Sequence, residues 1–149
     1  MEEIIMNSQF ERFMKKNKKI KPETLKYAAT KSLVDDNGKP IEWMFRKLTS
    51  EETDKIRESS TIDVPIEGKK NMFRPKLDIN NYLINLVIAS SVEPNLNNAE
   101  LQDSYGVKDA RSLLYAMVDD TGELGKLEQK IQELCGITDV EEEIQEAKN

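Results

Sequence analysis

The sequence predicts an α+β fold: an N-terminal helix and β-hairpins followed by a helical C-terminal half. Three observations carry that expectation. Asn37-Gly38 lies between "LKYAATKSLV" and "IEWMFRKL", and Asn-Gly between two such runs is a strong hairpin signal. From Asp78 onward, apolar residues recur at helical spacing. Good helix caps (Thr49, Asp78, Asn98) and helix-closing glycines (Gly106, Gly136) fall where such elements should begin and end. With 149 residues the chain can bury a true core without staples, covering about 70% of the surface its unfolded form exposes.

Each element has a local reason. Residues 2–16 read as a first helix, with Ile5, Met6, Phe10, Phe13 and Met14 near a 3.6-residue period. It runs into "KKNKKIK", and Pro22 stops it. Cations suit the negative pole of a helix end, so the lysine run reads as a solvated terminus in preference to a phosphate patch. Residues 25–48 read as the hairpin, closed by a type I′ turn at Asn37-Gly38. On its second strand Ile41, Trp43 and Phe45 share one face, and Trp43 and Phe45 are expected on the core. Thr49, with Glu52 three residues on, forms a capping box for a helix over residues 50–59.

"TIDVPIEGKKNMFRPKL" reads as a second pair of strands joined by "EGKKN", with Pro65 and Pro75 confining both to sheet edges. Asp78 caps a broad apolar helix, "INNYLINLVIASS", which suits a central buried position; Pro94 ends the segment. Asn98 caps "AELQDSY", and Gly106 closes it. A further helix starts at Lys108 or Asp109, with Leu113, Leu114, Met117 and Val118 as its apolar face. The last spans about residues 122–135, with Leu124, Leu127, Ile131 and Leu134 in a narrow seam. The tail "TDVEEEIQEAKN" carries five acids and one lysine, with Val140 and Ile144 as its apolar stripe.

Composition removes several function classes. There is no histidine, so Ser-His-Asp and Cys-His catalysis are excluded. The single cysteine, Cys135, can form neither an internal disulfide nor a zinc site, and a reduced cytosolic setting is expected. No apolar run approaches the roughly 20 residues of a membrane span, and no cofactor signature is present. Charge is unevenly spread. Residues 1–75 hold 16 Lys+Arg against 13 Asp+Glu, whereas residues 76–149 hold 6 against 15. That acidic half repels nucleic acid and suits basic or mixed partners.

"NLNNAELQDSYGVKDA" concentrates reactive side chains. Glu100 and Asp103 share a helix face at i, i+3 and could form an acid–base or Mg²⁺ pair, with Asp119 and Asp120 as further acids. Acids near a helix start are nevertheless expected from the helix dipole, Ser104 has no base, and Tyr105 reads as an aromatic anchor at the helix end. The cluster is therefore read as helix punctuation.

The same stretch resembles the phage tail assembly chaperones of the XkdN-like family. The resemblance extends through "FMKKNKKIKPE", "VDDNGKPIEWMFRKLTSEE", "FRPKLDINNYLINLVIASSVEPNL" and "LLYAMVDDTGELGKLEQKIQELCG", covering roughly residues 10–137. It implies a non-enzymatic protein that binds the tape-measure protein in the host cytoplasm, with other tail proteins as further candidate partners. It would keep that partner soluble for tail-tube assembly and be absent from the mature virion. The alternative is a structural tail component. The implied organisation is one chaperone domain, residues 1–137, followed by an acidic tail, residues 138–149. The expected partner groove uses Leu113, Met117, Leu124, Leu127, Ile131 and Leu134, apolar side chains spaced to receive a helix.

Overall fold

The computed structural model describes residues 9–19 and 23–137. Residues 2–8 of the expected first helix, Pro22 and the acidic tail lie outside these. Strands β1 (Thr24–Tyr27), β2 (Trp43–Arg46) and β5 (Ser91–Glu93) form one antiparallel sheet in the order β1-β2-β5. Strands β3 (Thr61–Pro65) and β4 (Phe73–Leu77) form a separate two-stranded hairpin. The helices are α1 (Ser50–Ser59), α2 (Ile79–Ser90), α3 (Ala99–Ser104), α4 (Ala110–Met117) and α5 (Thr121–Leu134). The expected α+β class holds.

The core forms where α2 packs against α4 and α5 and the first sheet closes over it. Tyr82, Ile84, Leu86 and Val87 of α2 are buried, with Ile79, Leu83, Ile88 and Ala89 packed around them. This breadth of apolar surface is what a helix needs when neighbours cover it on several sides. Leu113, Leu114, Met117 and Val118 face it from α4 and its end; Leu127 and Ile131 do so from α5. Trp43 and Phe45, two residues apart on one pleat face, complete the core with ring centroids 6.1 Å apart. Each such side chain contributes about 1.5–3 kcal/mol by leaving water.

Caps explain the boundaries. Thr49 Oγ1 accepts from the Glu52 N–H, and Glu52 Oε1 accepts from the Thr49 N–H, the reciprocal box the sequence predicts. Asp78, Asn98, Asp109 and Asp120 each accept from the backbone N–H three residues on. At the end of α3 the Val107 N–H donates to Gln102 O and the Gly106 N–H to Asp103 O. This Schellman closure places Gly106 at φ +69°, where a Cβ would be strained.

Several expectations are corrected. The first helix stops after Glu11, and only a 3-10 turn follows at Lys15–Asn17. Phe10, Phe13 and Met14 are exposed, so this part of the stripe has no surface to pack on and does not carry the helix past Glu11. The long first hairpin contracts to two four-residue strands, with only an isolated bridge between Val34 and Pro40 nearer the turn. That turn is not type I′. Gly38 alone has positive φ (+79°), and Asp35 Oδ1 accepts from the Asn37 and Lys39 N–H groups. The aspartate thus builds the turn, and glycine is needed only at its last position. Strand β5 is an element that the sequence pattern does not reveal. It follows α2 directly and pairs with β2, before the cis Glu93-Pro94 bond.

Prolines shape the second hairpin. The Ile66 N–H donates to Met72 O at 2.9 Å and the Asp78 N–H to Ser60 O at 2.8 Å, so even-numbered residues form the inward hydrogen-bonded pairs. Pro65 and Pro75 are odd-numbered and face outward, each removing a donor from an outer edge. Both edges are thereby guarded against strand addition.

Candidate functional site

Of the six residues expected to line a partner groove, Leu113, Leu127 and Ile131 are wholly buried, and Met117 is 6% exposed. Leu124 and Leu134 are half-buried against the same core. The stripe's main duty in the free chain is packing, because helical periodicity marks a face that leaves water without saying what covers it. Leu124 opens onto a shallow depression of about 390 Å³, lined also by Asn80, Tyr115, Asp119, Gly125 and Glu128. Burial raises the Glu128 carboxyl above the usual range. Tyr115 is exposed, and the Arg111 guanidinium lies 5.7 Å from its ring centroid. Arg111 also donates to Asn81 Oδ1 at 2.7 Å, which ties α4 to α2.

The acidic corner is wired for structure. Asn98 Oδ1 accepts from the Leu101 N–H at 2.9 Å, and Ser104 Oγ donates to Leu101 O at 2.7 Å. Gln102 is buried and donates to Leu96 O at 2.9 Å, which anchors α3 to the preceding loop. Glu100 and Asp103 are exposed. Asp120 caps α5, a different helix. Among the described residues no three His, Cys, Asp or Glu side chains converge on a point that could hold a metal. Tyr105 is not a buried anchor: it is 36% exposed, and its backbone serves as the C-cap of α3.

A further exposed surface lies on the β3–β4 hairpin. In antiparallel pairing, residues opposite one another share a face. Ile62 opposite Lys76, Val64 opposite Arg74, and Ile66 opposite Met72 therefore form one face. Ile62 and Met72 are 47% and 50% exposed, and none of Ile62, Val64, Ile66 or Met72 packs on the core. Arg74 and Lys76 share this face by register, and Lys69 and Lys70 lie in the turn that closes the hairpin. Alternation alone could have grouped the residues, but which face meets water depends on how the hairpin stands away from the helices.

Cys135 lies beside the Leu48 backbone, near Arg46 and Glu52, and burial raises its thiol pKa. The end of α5 is thus held next to the start of α1.

Comparison with known proteins agrees with this architecture. The chain is 23% identical over 128 residues to the Bacillus subtilis (strain 168) protein YqbN, covering 86% of this chain and 85% of the relative. It is 25% identical over 138 residues to the phage-like element PBSX protein XkdN of the same organism, covering 92% of each. The crystal structure of YqbN superposes with a TM-score of 0.67 at 19% identity, over 85% of this chain and 95% of that one, which supports the fold. The profile described as "Phage XkdN-like tail assembly chaperone protein, TAC" matches residues 10–148, nearly the whole chain. With caps, hairpins and helices all inside that match, this chain belongs to the XkdN-like tail assembly chaperone family.

Proposed function

We propose that this chain is a non-enzymatic chaperone that binds the tape-measure protein in the host cytoplasm and keeps it soluble until the tail tube polymerises. Family membership over residues 10–148 carries the reading. Its physical support is a well-packed body with apolar side chains left in water at Ile62, Met72, Phe73 and Tyr115. A long helical client with apolar stripes needs such contacts, and mass action allows many moderate ones to suffice. On α5, Leu124 and Leu134 are the members of the seam that a client helix would meet first. Met117, Leu113, Leu127 and Ile131 are buried in the same core behind them and are reached only if the packing opens.

Co-expression with the tape-measure protein from the same phage or prophage tests the reading. The client should move from the insoluble to the soluble fraction, and the two should co-elute on a sizing column. Equal solubility without this chain, together with separate elution, refutes it. A structural tail component would instead be found in purified particles by mass spectrometry; a chaperone is absent from them.

A further inference from the structure

We propose that the acidic tail, residues 138–149, docks on the apolar, lysine-bordered face of the β3–β4 hairpin of its own chain. The hairpin supplies one half of the match. Ile62, Val64, Ile66 and Met72 make a strip that belongs to no core, and Lys76 on the same face and Lys69 and Lys70 in the closing turn have no ion-pair partner among the described residues. The tail supplies the other half. Asp139, Glu141, Glu142, Glu143 and Glu146 surround Val140 and Ile144 in the sequence. The lysine-rich segment at residues 9–19, also outside the core, has the same charge sign as the hairpin border, so charge selects the tail.

Reach is sufficient. The chain leaves α5 beside Leu48, Arg46 and Glu52, at the start of α1. Helix α1 spans 10 residues, about 15 Å, and ends at Ser60, the base of the hairpin. The five-residue strands extend about 17 Å beyond. Twelve tail residues can span up to about 40 Å. Because a proline removes an outward donor from each strand edge, the tail is received by side chains on the hairpin face and not as an added strand. A docked tail shields the apolar strip while no partner is present.

Paramagnetic broadening in the full chain tests this. A nitroxide is attached at Ala147→Cys in a Cys135→Ser background, with the fold verified by its amide spectrum. Amides of residues 61–77 should lose most of their intensity, while those of α4 should not. The effect should fade in 1 M salt, where the screening length is about 3 Å, and with Lys70→Glu plus Lys76→Glu. As a label-free check, Glu141→Lys with Glu142→Lys and Glu143→Lys should shift the same hairpin amides. Unchanged hairpin signals in both experiments overturn the proposal, as does broadening centred on another surface. Broadening in a mixture of labelled chain with isotope-labelled, spin-free chain would place the tail on a neighbour and also overturn it.

Discussion

Glu52 joins three structural roles in one carboxylate, and its neutralisation should be felt as a specific loss of stability. It accepts from the Thr49 N–H at 3.0 Å, and takes a two-pronged contact from Arg46 at 2.9 and 2.5 Å. The Arg46 hydrogen bonds, followed by the Thr49 backbone donor and the Arg46 charge, lower its pKa from 4.5 to about 2 against an opposing desolvation cost. Unscreened, that depression would correspond to about 3 kcal/mol. The Arg46 and Glu52 side chains are 40% and 35% exposed, so solvent screening reduces the expected contribution to about 1–2 kcal/mol. The folded-state pKa is depressed, so the stabilisation is fully present above pH 4.5 and is lost as pH falls from there through about 2. Urea unfolding of wild type and Glu52→Gln can be followed by Trp43, the sole tryptophan, 2% exposed. The variant should be less stable by about 1–2 kcal/mol near neutral pH, with the gap narrowing steadily below pH 4.5. A gap that is absent at neutral pH, or that does not change with acid, refutes the reasoning.

Other expectations follow from the same geometry. Gly125 sits within α5 with nothing within 4 Å of where a Cβ would lie, so Gly125→Ala should stabilise the chain by about 0.5–1 kcal/mol in thermal or urea unfolding. Leu127 is wholly buried, and Leu127→Ala should cost about 2–5 kcal/mol by the same assays; a cost below 1 would show that the α2–α5 contact is not the central one. Pro65→Thr with Pro75→Thr restores an outward donor on each edge of the hairpin. This variant should aggregate faster by light scattering at equal stability, and unchanged aggregation would show that the edges are guarded by something else.

Most helix boundaries and the second hairpin are legible in the sequence because their causes are local. A cap acts across three residues, as in Thr49 with Glu52 or Asp120 with the Glu123 N–H. A proline acts on its own residue and the one before it. The candidate binding residues were legible only as apolar periodicity, and periodicity reports burial without its cause. Leu113 and Leu127 satisfy it by packing inside, whereas Ile62 and Met72, which remain in water, show no comparable stripe.

The sequence by itself determined where most chain segments are helical or extended, that no histidine chemistry is available, and which family the chain resembles. Tertiary structure alone decided three further things. It recruited Ser91–Glu93 as a third strand, because β2 offered free backbone groups beside it. It joined Glu123 to Thr30 Oγ1 and the Lys31 N–H, at 2.9 and 2.8 Å, across more than 90 residues of sequence. It also left the N-terminal phenylalanines without a packing surface, so that their periodicity sustained no full helix. All three turn on what comes to lie beside a segment after folding, and neighbouring residues in the chain carry no information about that.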